Sequence, residues 1–335
     1  MTATLLRGAT GRAHGGLVVL NAEVCEYFWN KEESLSDDLL AIARANSATL
    51  RELCLGVPLA AGTLEQLLRA APRLTTLRVC LEERENVASA AHVLRGEPPF
   101  DAPVLHLREC CFWVRGDADV LALAAALAAA GPSFDELLLD AHSPGDASEI
   151  GAGAFETLVG ALIARRVEAL SCSGGLGAAC APVLARLLRD STALTYLHVG
   201  LCQTLFDNAD GVAAIAAALR RNCTLTSLSI VDSHLCDADA VGAVLLAALV
   251  AHHSVEEVRF SSPHTVVVEG APAVLIANTV HALVAANAPA LRQLLFFLDA
   301  SPVLHGLIDE AMADALPRNT HLKRVRCAYG NHRWV

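Results

Sequence analysis

"LTYLHVGLC", residues 194–202, decides how this chain is read, because residues 225–236, "LTSLSIVDSHLC", open the same way and also reach a cysteine. The shared template is Leu-x-x-Leu-x-Leu. Further copies are "LVVLNA" at 17, "LRELCL" at 50, "LTTLRV" at 74, "FDELLL" at 134 and "VEALSC" at 167. "VEEVRF" at 255, "LRQLLF" at 291 and "LKRVRC" at 322 follow, and "APVLHL" at 102 is a degenerate copy. Successive starts lie 24 to 36 residues apart, a period of about 30 that belongs to repeat architectures.

Between the copies lie segments such as "SLSDDLLAIARANS", "GAFETLVGALIARR" and "NADGVAAIAAALRRNCT", with apolar residues at three- and four-residue spacing. That spacing predicts amphipathic helices. Ser36, Asp119 and Asp239 stand where N-caps are expected. The pair His252–His253 ends a helix, where cationic side chains suit the dipole. Each unit is therefore one short strand, a loop and one helix. A single such unit cannot close a core, so neighbours must stack and share one. A helix is wider than the spacing between strands, so parallel strands line the inside of a curve and helices the outside. The expected fold is α/β, a solenoid bent into a horseshoe of about eleven strand-loop-helix repeats. Residues 1–16 are expected to be an N-terminal extension and 17–335 the repeat domain.

The pattern L-x-x-L-x-L-x-x-[NC]-x-L with a full helix per repeat resembles the leucine-rich repeat family, and the period resembles its ribonuclease-inhibitor-type subclass. The likeness spans residues 17 to 330. Cysteine occupies the ninth template position at Cys25, Cys110 and Cys202. The resemblance implies that this side chain turns inward and satisfies backbone groups of the loop leaving the strand. Other ninth positions depart from the pattern, with Pro58, Glu82, His142, Pro263 and Asp299.

The net charge of −11 argues against direct nucleic-acid binding, which needs clustered Lys and Arg, and suits a basic protein partner or a place as a subunit in an assembly. The apolar runs at 120–130 and 240–251 fall short of the roughly 20 residues of a membrane span. Eleven cysteines without an apolar leader point to free thiols in a reducing compartment. A cytoplasmic location is expected, with the nucleus or mitochondrion left open. The first sixteen residues carry Arg7 and Arg12 and no acid, which suits either a presequence or a frayed terminus.

No arrangement predicts catalysis, a metal or a cofactor. Lys31 and Lys323 are the only lysines, and no Walker phosphate loop occurs. His198 and Cys202 are four apart, as are His106 and Cys110, yet the template sends the histidine to the open face and the cysteine to the core. "GGLG" at 174–177 reads as a tight strand-to-helix turn, and Asp146 and Glu149 as a solvated loop. Phe112 and Trp113, like Tyr27, Phe28 and Trp29, are expected in loops, packed beneath them.

The surface remains. Template positions 2, 3 and 5 are not needed by the core. They place Arg78, His106, Tyr196, His198, Arg259, Arg292, Lys323, Arg324 and Arg326 on the concave face, with Tyr329 and Trp334 beyond the last strand. The last two repeats are basic, and exposed Arg and aromatic side chains are the composition of binding hot spots. Trp334 and Tyr329 serve equally well as a cap on the solenoid's open end. The expected function is a non-catalytic scaffold or adaptor that grips a protein on its concave face. The rival expectation is a regulator of an enzyme, similar to the family's nuclease inhibitors and small-GTPase activators.

Overall fold

The computed structural model describes residues 16–22, 33–58, 63–74, 76–81, 106–114, 116–129, 133–141, 149–202, 204–231, 239–261, 271–297 and 302–327. Eleven strands form one sheet in strict chain order, and every neighbouring pair is parallel. They are β1 (Val19–Ala22), β2 (Glu52–Pro58), β3 (Thr76–Leu81), β4 (His106–Trp113), β5 (Ser133–Asp140) and β6 (Ala169–Ser173). β7 (Tyr196–Gly200), β8 (Ser227–Val231), β9 (Glu257–Ser261), β10 (Gln293–Phe297) and β11 (Arg324–Cys327) complete it. The described helices are α1 (Glu33–Ala45), α2 (Thr63–Ala70), α3 (Asp117–Ala128), α4 (Ala152–Arg165) and α5 (Ala181–Asp190). α6 (Ala209–Arg221), α7 (Asp239–Val250), α8 (Ala271–Ala285) and α9 (Pro302–Ala315) follow, each between two strands.

The template leucines set this order. On β7, Leu197 and Val199 are buried while Tyr196 and His198 stay partly exposed, because side chains alternate across a strand. The buried set joins Leu184, Leu188, Ile215 and Leu219 of the flanking helices in one core, so the helices cover one face and leave the other open. A second ladder forms where the strands begin. The carbonyls of Glu168, Thr195, Thr226, Glu256 and Arg292 each accept two N–H groups of the next unit at 2.7–3.1 Å.

The degenerate copy at 102 is corrected. Cys110 pairs with Leu137, a fourth-position leucine, and Phe112 with Leu139, so the working copy is "LRECCF" from Leu107. Cys110 is therefore not at a ninth position. Phe112 and Trp113 lie on β4 rather than in a loop, and Phe112 is buried. Arg108 is bulged out of the β3–β4 ladder: Leu77 pairs with Leu107 but Arg78 with Glu109. One extra residue restores the inward phase, since a one-residue slip would turn every side chain to the wrong face.

Two expected N-caps also move inside helices, since Ser36 lies within α1 and Asp119 is the third residue of α3. Asp239 is the first residue of α7. Asn208 caps α6, its Oδ1 accepting from Asp210 N at 3.0 Å. The Oδ1 of Asp117 accepts from Gly151 N at the start of the next helix, at 2.6 Å. "GGLG" is a turn, with φ of 76° at Gly174 and 71° at Gly175. Glu149 is exposed as expected, and accepts from Thr204 Oγ1 at 3.0 Å.

At four template starts, 194, 225, 255 and 322, the residue three places before caps the turn from helix to strand. Asn222 Oδ1 accepts from Thr224 N at 3.1 Å and Leu225 N at 2.8 Å, and its Nδ2 donates back to Leu188 O at 2.6 Å. Asn319 repeats this with His321 N, Leu322 N and Val284 O. Ser191 Oγ accepts from Leu194 N at 3.1 Å. His252 does the same, its Nδ1 accepting from Ser254 N and Val255 N, both at 3.2 Å. A ring nitrogen that accepts carries no proton. His252 is therefore a buried neutral cap, not the dipole-facing cation expected of it, and burial, then His253, lowers its pKa.

Candidate functional site

The open face of the sheet carries two registered rows. One runs Glu136, Ala169, Tyr196, Ser227, Glu257, Gln293, Arg324. The other runs Leu138, Ser171, His198, Ser229, Arg259, Leu295, Arg326. Along the rim where the strands begin stands a third: Glu168, Thr195, Thr226, Glu256, Arg292, Lys323.

The middle of this face is tied together. His198 Nδ1 and Ser229 Oγ share a hydrogen bond of 2.8 Å. Ser227 Oγ donates to Glu257 Oε1 at 3.2 Å, and the same oxygen accepts from Arg259 Nε at 2.5 Å. Burial, then the charge of Arg259, lowers the His198 pKa. Burial raises that of the Tyr196 hydroxyl, with Arg259 opposing and Glu136 and Glu257 adding to it. Leu295 is only 6% exposed although it lies on the open face, outside the core that holds its neighbour Leu294.

The structure brings Tyr196, His198 and Arg259 together across β7–β9, and Arg292, Lys323 and Arg324 together at β10–β11. Arg326 continues the row of His198 on β11. Arg78 lies on β3 opposite Glu109, which the bulge moves into the row of Tyr196. His106 is not beside Arg78: its Cα partners are Thr76 and Ser133. Tyr329, Trp334 and Cys25 lie outside the described residues, as do Tyr27, Phe28, Trp29, Asp146 and residues 1–15 of the expected extension. Cys202 is 2% exposed and turns inward, its thiol donating to Gly200 O at 3.2 Å and Gly174 O at 3.5 Å. Cys172 and Cys180 are likewise buried free thiols, and burial raises both pKa values before neighbouring groups contribute. Among the described residues, no group of three His, Cys, Asp or Glu could hold a metal ion. Among them too, no helix is long and apolar enough to cross a membrane.

Sequence reasoning missed the capping residues and the sealing of Arg259 by Glu257. The first had a signal, the recurring polar residue three places before the template in "NCTL", "HHSV" and "NTHL".

The two lowered histidines make stability depend on pH. Both hold their proton less well when folded than the ordinary 6.5, so the unfolded chain binds more protons as pH falls. Their contribution is complete above about pH 6.5 and lost as pH drops through the folded values. Asp190 and Asp314 sit below 3.8 through their Arg and His partners and titrate below this window. The urea midpoint is expected to fall between pH 7.5 and 5.5, with His252→Asn reducing that fall. His252 Nε2 is buried without a partner among the described residues. An asparagine amide there can donate backward as Asn222 and Asn319 do. His252→Asn is therefore also expected to raise stability at pH 7.5 by about 1 kcal/mol, the order of an orphaned buried donor.

No protein-family model matches the chain, and no curated protein matches it. Among solved structures it is similar to "Leiomodin-1 Actin-Binding Site 2 (ABS2)", at 15% identity and a TM-score of 0.28, covering 41% of this chain and 73% of that one. So partial a superposition transfers no function.

Proposed function

We propose that the chain is a leucine-rich-repeat solenoid, curved as a horseshoe with the sheet inside, and that it works as a non-catalytic platform binding a protein across the open face. The observation carrying this reading is the registered rows of polar side chains from Glu168 to Lys323 and from Tyr196 to Arg324. A face held rigid by its own backbone ladder needs little ordering on association, which favours affinity. The His198–Ser229 pair supports a structural role over nucleophilic catalysis: Ser229 is 5% exposed, and no carboxylate bonds His198 among the described residues to orient it. Its bond crosses from β7 to β8 and pins the face.

A photo-crosslinking residue placed at Tyr196 or Thr226 is expected to capture a defined partner in native extract. The same residue at Leu121, exposed on α3, is expected to capture none. Capture through Leu121 alone would make the helix layer the binding side and overturn the reading.

A further inference from the structure

The open face changes sign between β9 and β10. Its rim row runs Glu168, Thr195, Thr226, Glu256 and then Arg292, Lys323, while the next row reaches Glu257, Gln293 and Arg324. Several cations elsewhere are answered, Arg259 by Glu257, Arg186 by Glu156 at 3.1 Å and Arg318 by Asp314 at 2.6 Å. Arg292, Lys323 and Arg324 form no ion pair with any described residue. Among the described residues Arg292 donates to the backbone carbonyl of His321, at 3.5 Å, and Lys323 and Arg324 are exposed. On a chain of net charge −11, three neighbouring cations with no ion pair to a described residue concentrate positive potential at this corner.

We propose that the corner formed by Arg292, Lys323 and Arg324 docks an acidic segment of a partner protein, a proposal that rests on the platform reading. The size of the patch sets the chemistry. Two adjacent strands lie about 4.8 Å apart, so the corner spans a few carboxylates and no more. Glu256, exposed beside Arg292, repels anything that stays anionic beyond it, and Glu257 stands in the next row. A long uniform polyanion such as RNA therefore fits poorly. A peptide with acidic residues over β10–β11 and neutral or basic ones over β9 fits the sign change. Arg259, held by Glu257, contributes no net charge.

The test uses the full chain and a fluorescein-labelled peptide of six glutamates, with six lysines and a six-nucleotide uridylate RNA alongside. Anisotropy is expected to show binding of the glutamate peptide that weakens as salt rises, since exposed charges are screened. Lys323→Glu/Arg324→Glu is expected to weaken it about tenfold or more, the order of several exposed ion pairs lost together. Arg220→Glu/Arg221→Glu changes net charge equally at the end of α6 and is expected to leave binding unchanged. Unchanged circular dichroism keeps either result from being unfolding. Failure of the glutamate peptide to bind at low salt, or equal losses in both double variants, overturns the proposal. RNA binding as tightly as the peptide overturns it in favour of nucleic acid. A salt-sensitive dimer without peptide, abolished by the first variant, overturns it in favour of a second copy. Crosslinks through Tyr196 that persist in any of these cases leave the platform reading standing alone.

Discussion

Gly175→Ala is expected to destabilise the chain by about 2–4 kcal/mol, combining left-handed backbone strain with overpacking. Gly175 has φ +71°, and a Cβ there would lie 2.5 Å from Ala141 Cβ and 3.3 Å from Ile150 Cδ1. Ala141 is itself fixed, its N–H bonded to Ser173 O at 2.8 Å, while Ile150 N bonds Gly175 O at 2.7 Å. The turn cannot yield toward either neighbour. Gly153→Ala provides the contrast. It sits in α4 with nothing within 4 Å of its new methyl, and is expected to stabilise by about 0.5–1 kcal/mol. Urea unfolding followed by circular dichroism reads both. A loss below half a kilocalorie at Gly175 would mean that the turn relaxes and the close approach is not a constraint.

Asn222→Ala is expected to cost about 2–4 kcal/mol, because it leaves buried groups unpaired on both sides. The N–H groups of Thr224 and Leu225 and the carbonyl of Leu188 all lose their partner. Asn222→Ser keeps an acceptor for the turn, as Ser191 does in the preceding unit, and is expected to recover about half of the loss. If serine and alanine cost the same, the backward bond to Leu188 rather than the turn holds the stability.

The strand positions were legible because the template is a physical requirement: leucines at alternate positions must face one layer of helices, and Leu197 and Val199 do. The helices were legible from spacing alone. At β4 the sequence misled, since "APVLHL" satisfies the leucine pattern while "LRECCF" sets Cys110 and Phe112 in register with the template leucines Leu137 and Leu139. Phe112 is buried there as a leucine would be, and pattern matching by residue type misses that equivalence. His252 was misread because a helix-ending histidine is charged when exposed and neutral when buried, and burial is a tertiary fact. Arg259 was legible as a surface cation but not as a cancelled one, because whether Glu257, two residues back along β9, turns toward it depends on the packing of the open face.

The capping residues also divide the molecule mechanically. Asn222 and Asn319 are rivets, each joining its own turn to a carbonyl near the end of the preceding helix. Ser191 is too short to reach back, and the ring of His252 leaves its far nitrogen unbonded. Under load along the stack, the pairs α5–α6 and α8–α9 are held by rivets, and among the described residues the seams α4–α5, α6–α7 and α7–α8 have none and open first.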